Sequence, residues 1–279
     1  MGSFRDDVTV ARVTDGRYEA VLDHSWDVAV LPQGGVLASF GLRAASLEVD
    51  DPGQPLRTCT TVFAGQVTAG ELDIDVRVLR RGRSATQVRT EVRNRGSAVG
   101  ATTLAVFGSS RRGPAFVDVS APVVPEPDQC RSYRDPTPPG VDESTAAFWD
   151  RVEGRGALGH APWEEHESTT SDSVSWYRFD DPPIQDDGSL DPLGVVTIAD
   201  RMPGAVQEML GKQEDSWFAP SADLTVHLFA PVRTEWLMTH DRARWAGDGW
   251  ASAESTLWDE DRHLVAYATQ MMLFTYVTT

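Results

Sequence analysis

The stretch PQGGVLASFGLRAASLEV, residues 32–49, decides the fold. Its apolar side chains recur at the spacing of a helix face: Val36, Phe40, Ala44 and Leu47. Small residues keep this helix thin, so that a curved sheet can pack closely around it: Ala38, Gly41, Ala44 and Ala45. The residues DDPG at 50–53 end the pattern. We therefore expect a helix over 36–49.

The residues around this helix favour short antiparallel strands. Upstream, the runs 8–13 and 17–22 flank Asp15-Gly16, which supplies the positive φ of a tight hairpin. Downstream, four strand candidates follow: 56–64, 72–79, 86–92 and 99–107. The second and third alternate apolar with polar residues, as strands do when one face is buried.

The same order of elements returns in the second half of the chain. A strand at 173–179 and a helix at 193–210 precede four more strand candidates: 222–230, 235–246, 250–258 and 264–277. Phe229-Ala230 follows Phe63-Ala64 by 166 residues, and Val265 follows Val99 by the same distance. The order and the offset together indicate an internal duplication.

One long helix followed by an antiparallel sheet that wraps it describes a hotdog module. We therefore predict an α+β tandem double hotdog, whose two sheets join edge to edge and so cover exposed edges. The predicted boundaries are an N-terminal hotdog at 1–109, a proline-rich connecting segment at 110–171 and a C-terminal hotdog at 172–279. The alternative is a plain α+β protein with two unrelated halves.

Composition excludes several classes of function. The net charge of −17, from 25 basic and 42 acidic residues, disfavours nucleic acid and anionic membranes as partners. Neither a signal peptide nor an apolar run of roughly 20 residues is present, which predicts a cytoplasmic protein. The two cysteines and six scattered histidines show no ligand spacing, so no metal site is expected.

Polar residues at interior positions of the second half are the first candidates for a site. With the offset of 166, Gln270 corresponds to Leu104 and Asp223 corresponds to Arg57. Gln270 stands in the apolar run YATQMML, where its amide serves either a ligand or a neighbouring strand. Asp223, at the start of a strand, could activate water as a general base or simply lie in solvent.

Two further candidates belong to the helices. Gly34 and Gly35 precede the first helix, where free N–H groups could hold an oxyanion or a thioester carbonyl; alternatively the glycines serve close packing. Asp200 falls on the second helix, where it could meet a ligand or pair near Arg201.

Four segments together resemble the acyl-CoA thioesterase II family and its actinobacterial thioesterase-like relatives: LPQGGVLASFGLRAA, VRVLRRGRSATQVRTEV, SADLTVHLFAPVRTEWLM and LVAYATQMMLF. The resemblance implies a thioester hydrolase whose attacking water is held by an Asp, a Gln and a Ser or Thr. Asp223 and Gln270 match the Asp and the Gln, and the family's second-helix Asp resembles Asp200. The resemblance would place the hydroxyl at Arg244 or Trp245, and neither residue has one.

The leading hypothesis is therefore an acyl-CoA or acyl-carrier-protein thioesterase that needs no cofactor beyond the coenzyme A of its substrate. Binding that coenzyme would require a local basic patch, for which Arg80, Arg81 and Arg83 are the candidates, with Arg244 as a further substrate contact. The missing hydroxyl leaves open a catalytically altered double hotdog that binds an acyl ligand or runs other biosynthetic chemistry. We expect a homodimer or higher homo-oligomer.

A binding module of another class is the third hypothesis. Six of the tryptophans could form an aromatic platform for sugars, although tryptophans more often anchor cores and interfaces: Trp163, Trp176, Trp217, Trp245, Trp250 and Trp258.

Overall fold

A computed structural model describes residues 3–28, 31–136, 146–161, 164–211, 213 and 217–276. The α-helices are α1 (Phe4–Asp7), α2 (Gly34–Val49), α3 (Pro192–Ala199) and α4 (Pro203–Leu210). Short 3-10 helices occur at His24–Trp26, Pro127–Gln129 and Ala147–Asp150. None of the helices in these residues is both long enough and apolar enough to cross a bilayer.

The strands of the first half are β1 (Ala11–Thr14), β2 (Arg17–Leu22), β3 (Asp27–Val28), β4 (Leu31–Pro32), β5 (Leu56–Phe63), β6 (Gly70–Arg81), β7 (Ala85–Asn94) and β8 (Ala101–Gly108). Those of the second half are β9 (Arg131–Ser132), β10 (Val152–Leu158), β11 (Ser173–Phe179), β12 (Trp217–Phe218), β13 (Ser221–Leu228), β14 (Leu237–Gly247), β15 (Trp250–Asp259), β16 (Leu264–Leu273) and β17 (Thr275–Tyr276).

A single 13-stranded antiparallel sheet runs through both halves. Its strand order is β1-β2-β6-β7-β8-β5-β13-β16-β15-β14-β11-β10-β9. The two halves therefore meet where β5 pairs with β13, and each half curves around its own helices. This arrangement confirms the predicted α+β double hotdog.

The junction between β5 and β13 reveals the symmetry of the duplication. Thr60 lies opposite Thr225, the two hydroxyls are 2.9 Å apart, and the residues are 165 positions apart. Because each threonine faces its own counterpart, the two repeats are offset by 165 residues and not by 166. A slip of one residue moves a strand residue to the other face of the sheet.

The corrected offset changes which residues are compared between the halves. Leu104, the counterpart expected for Gln270, is 53% exposed on the outer face, whereas Gln270 is 2% exposed on the inner face. The inner-face counterpart is Ala105, since Cys59 pairs with Ala105 as Leu224 pairs with Gln270. The polar asymmetry between the halves therefore holds, but with a different partner.

The duplication also extends further towards the N-terminus than the sequence pattern indicates. Strand β10 falls within 110–171, the segment interpreted as a connection, and it pairs with β11 to form a hairpin. This hairpin occupies the place in the second half that β1 and β2 occupy in the first. Its sequence EGRG, residues 153–156, lacks the alternation that marks a strand.

The helix predicted over 193–210 is two helices. Helix α3 ends at Ala199, and α4 begins at Pro203. Proline lacks the N–H that a continuing helix needs, and it fits the first turn of a new one. The break leaves Asp200 at the end of α3, with its side chain free to turn towards α2.

Helix α2 is buried along most of its length and packs against α3 and the strands β6, β7 and β8. Gly41 makes the closest approach to the sheet, because a Cβ at this position would lie 2.6 Å from Thr90 Oγ1 and 3.3 Å from Val92 Cγ2. An aromatic cluster ties the halves together beside the helix: Phe4 contacts Trp26 and Phe179 at ring distances of 5.3 and 5.4 Å.

The substitution Gly41→Ala tests how tightly the sheet grips α2. We expect it to destabilise the fold by about 1–3 kcal/mol, because the added methyl overpacks a buried contact. Urea denaturation measures the change. Gly113→Ala is the matched control, since a Cβ there meets no atom within 4 Å. Equal midpoints for the two variants would contradict the packing described.

Candidate active site

A cavity of about 570 Å³ lies between the two halves at the N-terminal end of α2. Its apolar wall includes Leu37, Phe63 and Val67 from the first half and Ala219 from the second. Its polar lining includes Asp200 and Ser221, which stand side by side at one end. The cavity therefore combines an apolar space with a localised polar group, as small-molecule sites do.

The Asp200 carboxylate collects hydrogen bonds from three different elements. Its Oδ2 accepts the Gly35 N–H at 3.0 Å, from the first turn of α2. Its Oδ1 accepts the Ser221 hydroxyl at 3.1 Å and the Gln270 amide Nε2 at 2.5 Å. Gln270 Nε2 also donates to Ser221 Oγ. Asp200, Ser221 and Gln270, which we call the polar trio, thus form one connected group.

The two glycines make this arrangement sterically accessible. A Cβ on Gly35 would lie 2.8 Å from the backbone of Val196 and Thr197, so only glycine lets α2 approach α3 this closely. A Cβ on Gly34 would lie 2.9 Å from both Asp200 Oδ2 and the Phe63 ring. Gln33 caps α2 and donates to the Thr197 carbonyl at 2.7 Å, which joins the two helices at the same point.

The electrostatics of Asp200 suit a general base. Burial raises the pKa of this carboxyl to about 6, while the Gly35 N–H, the Ser221 hydroxyl, the Arg201 charge and the Gln270 amide oppose the rise. The positive end of the α2 dipole favours the ionised form in the same way. The result is a carboxylate that gains and loses a proton near neutral pH.

The structure brings Gln270 into this group but not Asp223. Leu224 and Val226 of β13 face the interior, so Asp223 lies on the opposite face, where its Oδ1 accepts the Met271 N–H at 2.8 Å. A β-bulge between Ser221 and Asp223 separates the two residues. Because the bulge shifts the alternation by one, Ser221 turns inward although it is two residues from Asp223.

The hydroxyl beside the amide belongs to Ser221, not to the neighbourhood of Arg244. Arg244 is exposed on the outer face of β14, where its guanidinium pairs with Glu254. The resemblance would place this hydroxyl at Arg244 or Trp245, whereas the structure has it at Ser221. Ser221 opens the segment SADLTV that carries the family resemblance, but the alternation of that segment gives no sign of a bulge.

The sequence suggested that the N–H groups of Gly34 and Gly35 could both hold an oxyanion or a thioester carbonyl, and the structure does not leave both available. The Gly35 N–H is already bound to Asp200, so it does not face a ligand. Gly34 lines the cavity at the start of α2, and its N–H belongs to the first helical turn, whose amides have no partner within the helix.

The arginines expected to bind coenzyme A lie at the far end of α2. Arg80, Arg81 and Arg83 are exposed around the β6–β7 hairpin. Arg81 donates to the carbonyls of Glu48 and Val49 at 2.9 and 2.7 Å, and so closes the C-terminus of the helix. Sixteen helical residues span roughly 24 Å, which separates these side chains from the polar trio.

Two groups in the described part of the chain have the spacing of metal ligands: His160 with His166 and Glu208, and Asp259 with Asp261 and His263. The first lines the cavity. Both ring nitrogens of His166 face carbonyl oxygens, those of Glu208 at 3.0 Å and Glu164 at 3.2 Å, so both act as donors. These contacts raise the pKa of His166, which favours an imidazolium over a metal ligand.

The tryptophans do not share one surface. Trp176 and Trp258 are buried in a small core with Met238, whereas Trp245 and Trp250 are exposed. Trp217 stacks on Phe274 at 4.8 Å, and Trp163 lies outside the described residues. The tryptophans that the structure describes therefore do not assemble the sugar platform of the third hypothesis.

Solved structures with a similar fold cover nearly the whole chain. A hot dog-fold protein of unknown function from Alicyclobacillus acidocaldarius has a TM-score of 0.82 at 21% identity, covering 99% of this chain and 98% of its own. A protein described as a thioesterase II from Thermobifida fusca has a TM-score of 0.80 at 25% identity, covering 98% and 97%. An acyl-CoA thioesterase II from Mycobacterium marinum has a TM-score of 0.78 at 20% identity, covering 99% of both.

The amino-acid sequence also matches models of known protein families. No curated protein matches the chain. Residues 22–108 match the acyl-CoA thioesterase N-terminal domain, and residues 127–274 match the acyl-CoA thioesterase C-terminal domain. The second match begins near β9 and includes β10, in agreement with the hairpin that the sheet assigns to the second half. The chain is a member of the acyl-CoA thioesterase family and a thioesterase enzyme.

Proposed function

We propose that the protein hydrolyses acyl thioesters of coenzyme A or of an acyl carrier protein, with a water molecule held by Asp200 and Ser221. The observation that carries this proposal is the convergence of Gly35, Ser221 and Gln270 on one buried carboxylate beside an apolar cavity. Gln270 sits behind the other two and orients both, so it is a positioning residue.

The reaction follows from this geometry in two steps. Asp200 takes a proton from the water as its oxygen forms a bond to the thioester carbonyl carbon. The tetrahedral intermediate then collapses, the C–S bond breaks, and the thiolate leaves with the proton that Asp200 returns. The proposed reaction requires no metal and no cofactor apart from the coenzyme A moiety of the substrate.

The carbonyl oxygen needs a donor as its negative charge develops. In this proposal the donor is the Gly34 N–H, because Gly34 lines the cavity at the positive end of α2. The Gly35 N–H instead holds the base, so consecutive amides of one helix turn serve the two reacting partners. Asp200 and the substrate carbonyl would thereby be held side by side, each by one of two neighbouring N–H groups.

The alternative of a catalytically altered protein rested on the absence of a hydroxyl beside Gln270. Ser221 supplies such a hydroxyl, which supports the leading hypothesis of a hydrolase over this alternative. The homo-oligomeric state and the cytoplasmic location stay predictions.

Replacing each candidate base in turn tests the assignment of Asp200 as the general base. We expect Asp200→Asn to lower kcat for thiol release from acyl-CoA by about 100-fold or more, because it removes the proton acceptor. We expect Asp223→Asn, on the outer face, to stay within about threefold of the parent, as surface substitutions usually do. The reverse order of effects would restore Asp223 as the base and overturn the proposal.

The pH profile of kcat/KM tests the environment of Asp200. Only the ionised carboxylate accepts a proton, so activity should fall as pH decreases through about 6. Gln270→Ala removes a donor that lowers the pKa of Asp200, and it should move the acid limb to higher pH. An acid limb near the ordinary Asp pKa of about 4 in the parent protein would contradict the proposed base.

The substitution Gly34→Ala tests the placement of the carboxylate. The new methyl would meet Asp200 Oδ2 and the Phe63 ring, so the base must move, and we expect kcat to fall at least tenfold. Gly204→Ala is the control on the same cavity wall, since its methyl meets no atom within 4 Å. Equal kinetics for the two variants would show that the position of Asp200 is not critical.

A further inference from the structure

A second polar group lines the cavity away from the polar trio. It comprises five side chains, which we call the inner polar group: Tyr133, Ser175, Tyr177, Arg201 and Asp241. The Tyr133 hydroxyl lies 2.7 Å from Ser175 Oγ. Asp241 accepts the Thr239 hydroxyl at 2.9 Å through Oδ2. Burial raises the pKa of its carboxyl, and the hydroxyl of Ser255, opposite Asp241 on β15, opposes the rise.

Three members of the inner polar group are buried in the cavity wall. Ser175, Tyr177 and Asp241 are 7%, 5% and 3% exposed, whereas other lining residues such as His160 and Gln66 are open to solvent. Burial raises the pKa values of Tyr133 and Tyr177, so both phenols keep their protons and act as donors.

Local sequence explains how a tyrosine ring reaches this position. Gly154 and Gly156 of β10 lack side chains, and a Cβ on Gly154 would lie 2.5 Å from the Tyr133 ring. The ring therefore lies flat against bare backbone, with its hydroxyl directed at β11. The glycines of the EGRG motif, which interrupt the strand alternation of β10, thus also shape the cavity.

Arg201 places a charge close to Tyr177 and Asp241. Its guanidinium stacks over Phe148 and Trp149 at 5.0 and 4.6 Å, and its Nε is buried without a hydrogen bond in the described residues. It forms no ion pair with any carboxylate in those residues. Arg201 follows Asp200 directly in the chain, and its positive charge acts on the carboxyls of both Asp200 and Asp241.

The distance between the two polar groups follows from the sheet. Gln270 lies opposite Ala253, and Ala253 lies opposite Ala243, two residues from Asp241 on β14. Two strand spacings and two residues along the strand separate the Cα atoms of Gln270 and Asp241 by roughly 12 Å.

We propose that the inner polar group recognises a hydroxyl substituent on the acyl chain, so that the preferred substrates are hydroxylated acyl thioesters. The inference rests on the proposed thioesterase function of the same cavity. A hydroxyl is both donor and acceptor: it can donate to the Asp241 carboxylate and accept from Arg201 or the Tyr133–Ser175 pair.

Other acyl ends fit this group less well. A plain alkyl end would leave Asp241 and Arg201 facing hydrocarbon. These polar groups would lose water without gaining a hydrogen bond, which weakens binding. A terminal carboxylate would pair with Arg201 but would face the Asp241 carboxyl at the same end. A neutral hydroxyl avoids both penalties.

The test compares straight-chain acyl-CoAs with ω-hydroxyacyl-CoAs and ω-carboxyacyl-CoAs of matched, increasing length. We expect kcat/KM for the hydroxylated series to exceed that of the plain series at least tenfold once the hydroxyl reaches roughly 12 Å from the thioester. The double variant Tyr133→Phe, Ser175→Ala should bring this ratio close to one. Tyr267→Phe, which removes a phenolic hydroxyl from the outer face, should retain the preference for hydroxylated substrates.

A binding measurement separates this inference from the proposed function. Calorimetry with non-hydrolysable thioether analogues of the plain and hydroxylated substrates should show the same preference in Asp200→Asn protein. If no thioester is hydrolysed but the hydroxylated analogue binds more tightly, the proposed function fails and the subsite stands. A ratio of one or less, a ratio unaffected by the double variant, or preference for the carboxylated series would overturn the subsite.

Discussion

The structure depends on one hydrogen bond between its halves, from the Gly35 N–H to the Asp200 carboxylate. It requires a helix that begins with two glycines and a second helix that stops just where its last carboxylate can turn inward. The cost of burying that carboxylate is offset by donors from α2, β13 and β16. The cavity, the raised pKa and the position of Ser221 all follow from this meeting point.

The continuous sheet explains how such a meeting point is held. Pairing of β5 with β13 fixes the two halves at their central strands, and the aromatic contacts of Phe4 with Trp26 and Phe179 join them a second time. Helix α2 is buried along most of its length. Polar groups on β13, β14 and β16 therefore keep a constant position relative to α2, which preorganised hydrogen-bond donors require.

Much of the fold could be predicted because helical spacing and strand alternation are local signals. The helix over 36–49, the strands around it and the repeated order were read from such patterns and are confirmed. The site was harder, because its decisive features are irregularities: an offset of 165 and not 166, a bulge at Ser221, and a helix broken before Pro203. The first two change a strand position by one residue, and one residue in a strand exchanges the inner for the outer face. The third lets the Asp200 side chain turn towards α2. Gln270 was found because an amide within an apolar run is visible in sequence. Ser221 was not, since short hydroxyl residues near strand ends are common. The inner polar group was not, since its members lie far apart in the chain.

The spacing of Gly35 and Asp200 has a consequence for how this protein could have arisen. They lie 165 residues apart, the same interval that relates Thr60 to Thr225 across the sheet, so they occupy equivalent positions in the two repeats. In a homodimer of identical modules, one residue would have to be glycine and aspartate at once. The donor and the carboxylate can face each other only after the gene for a single module has been doubled and its copies have diverged. Divergence of the two repeats was thus the step that made an unlike pair available at a formerly symmetric position.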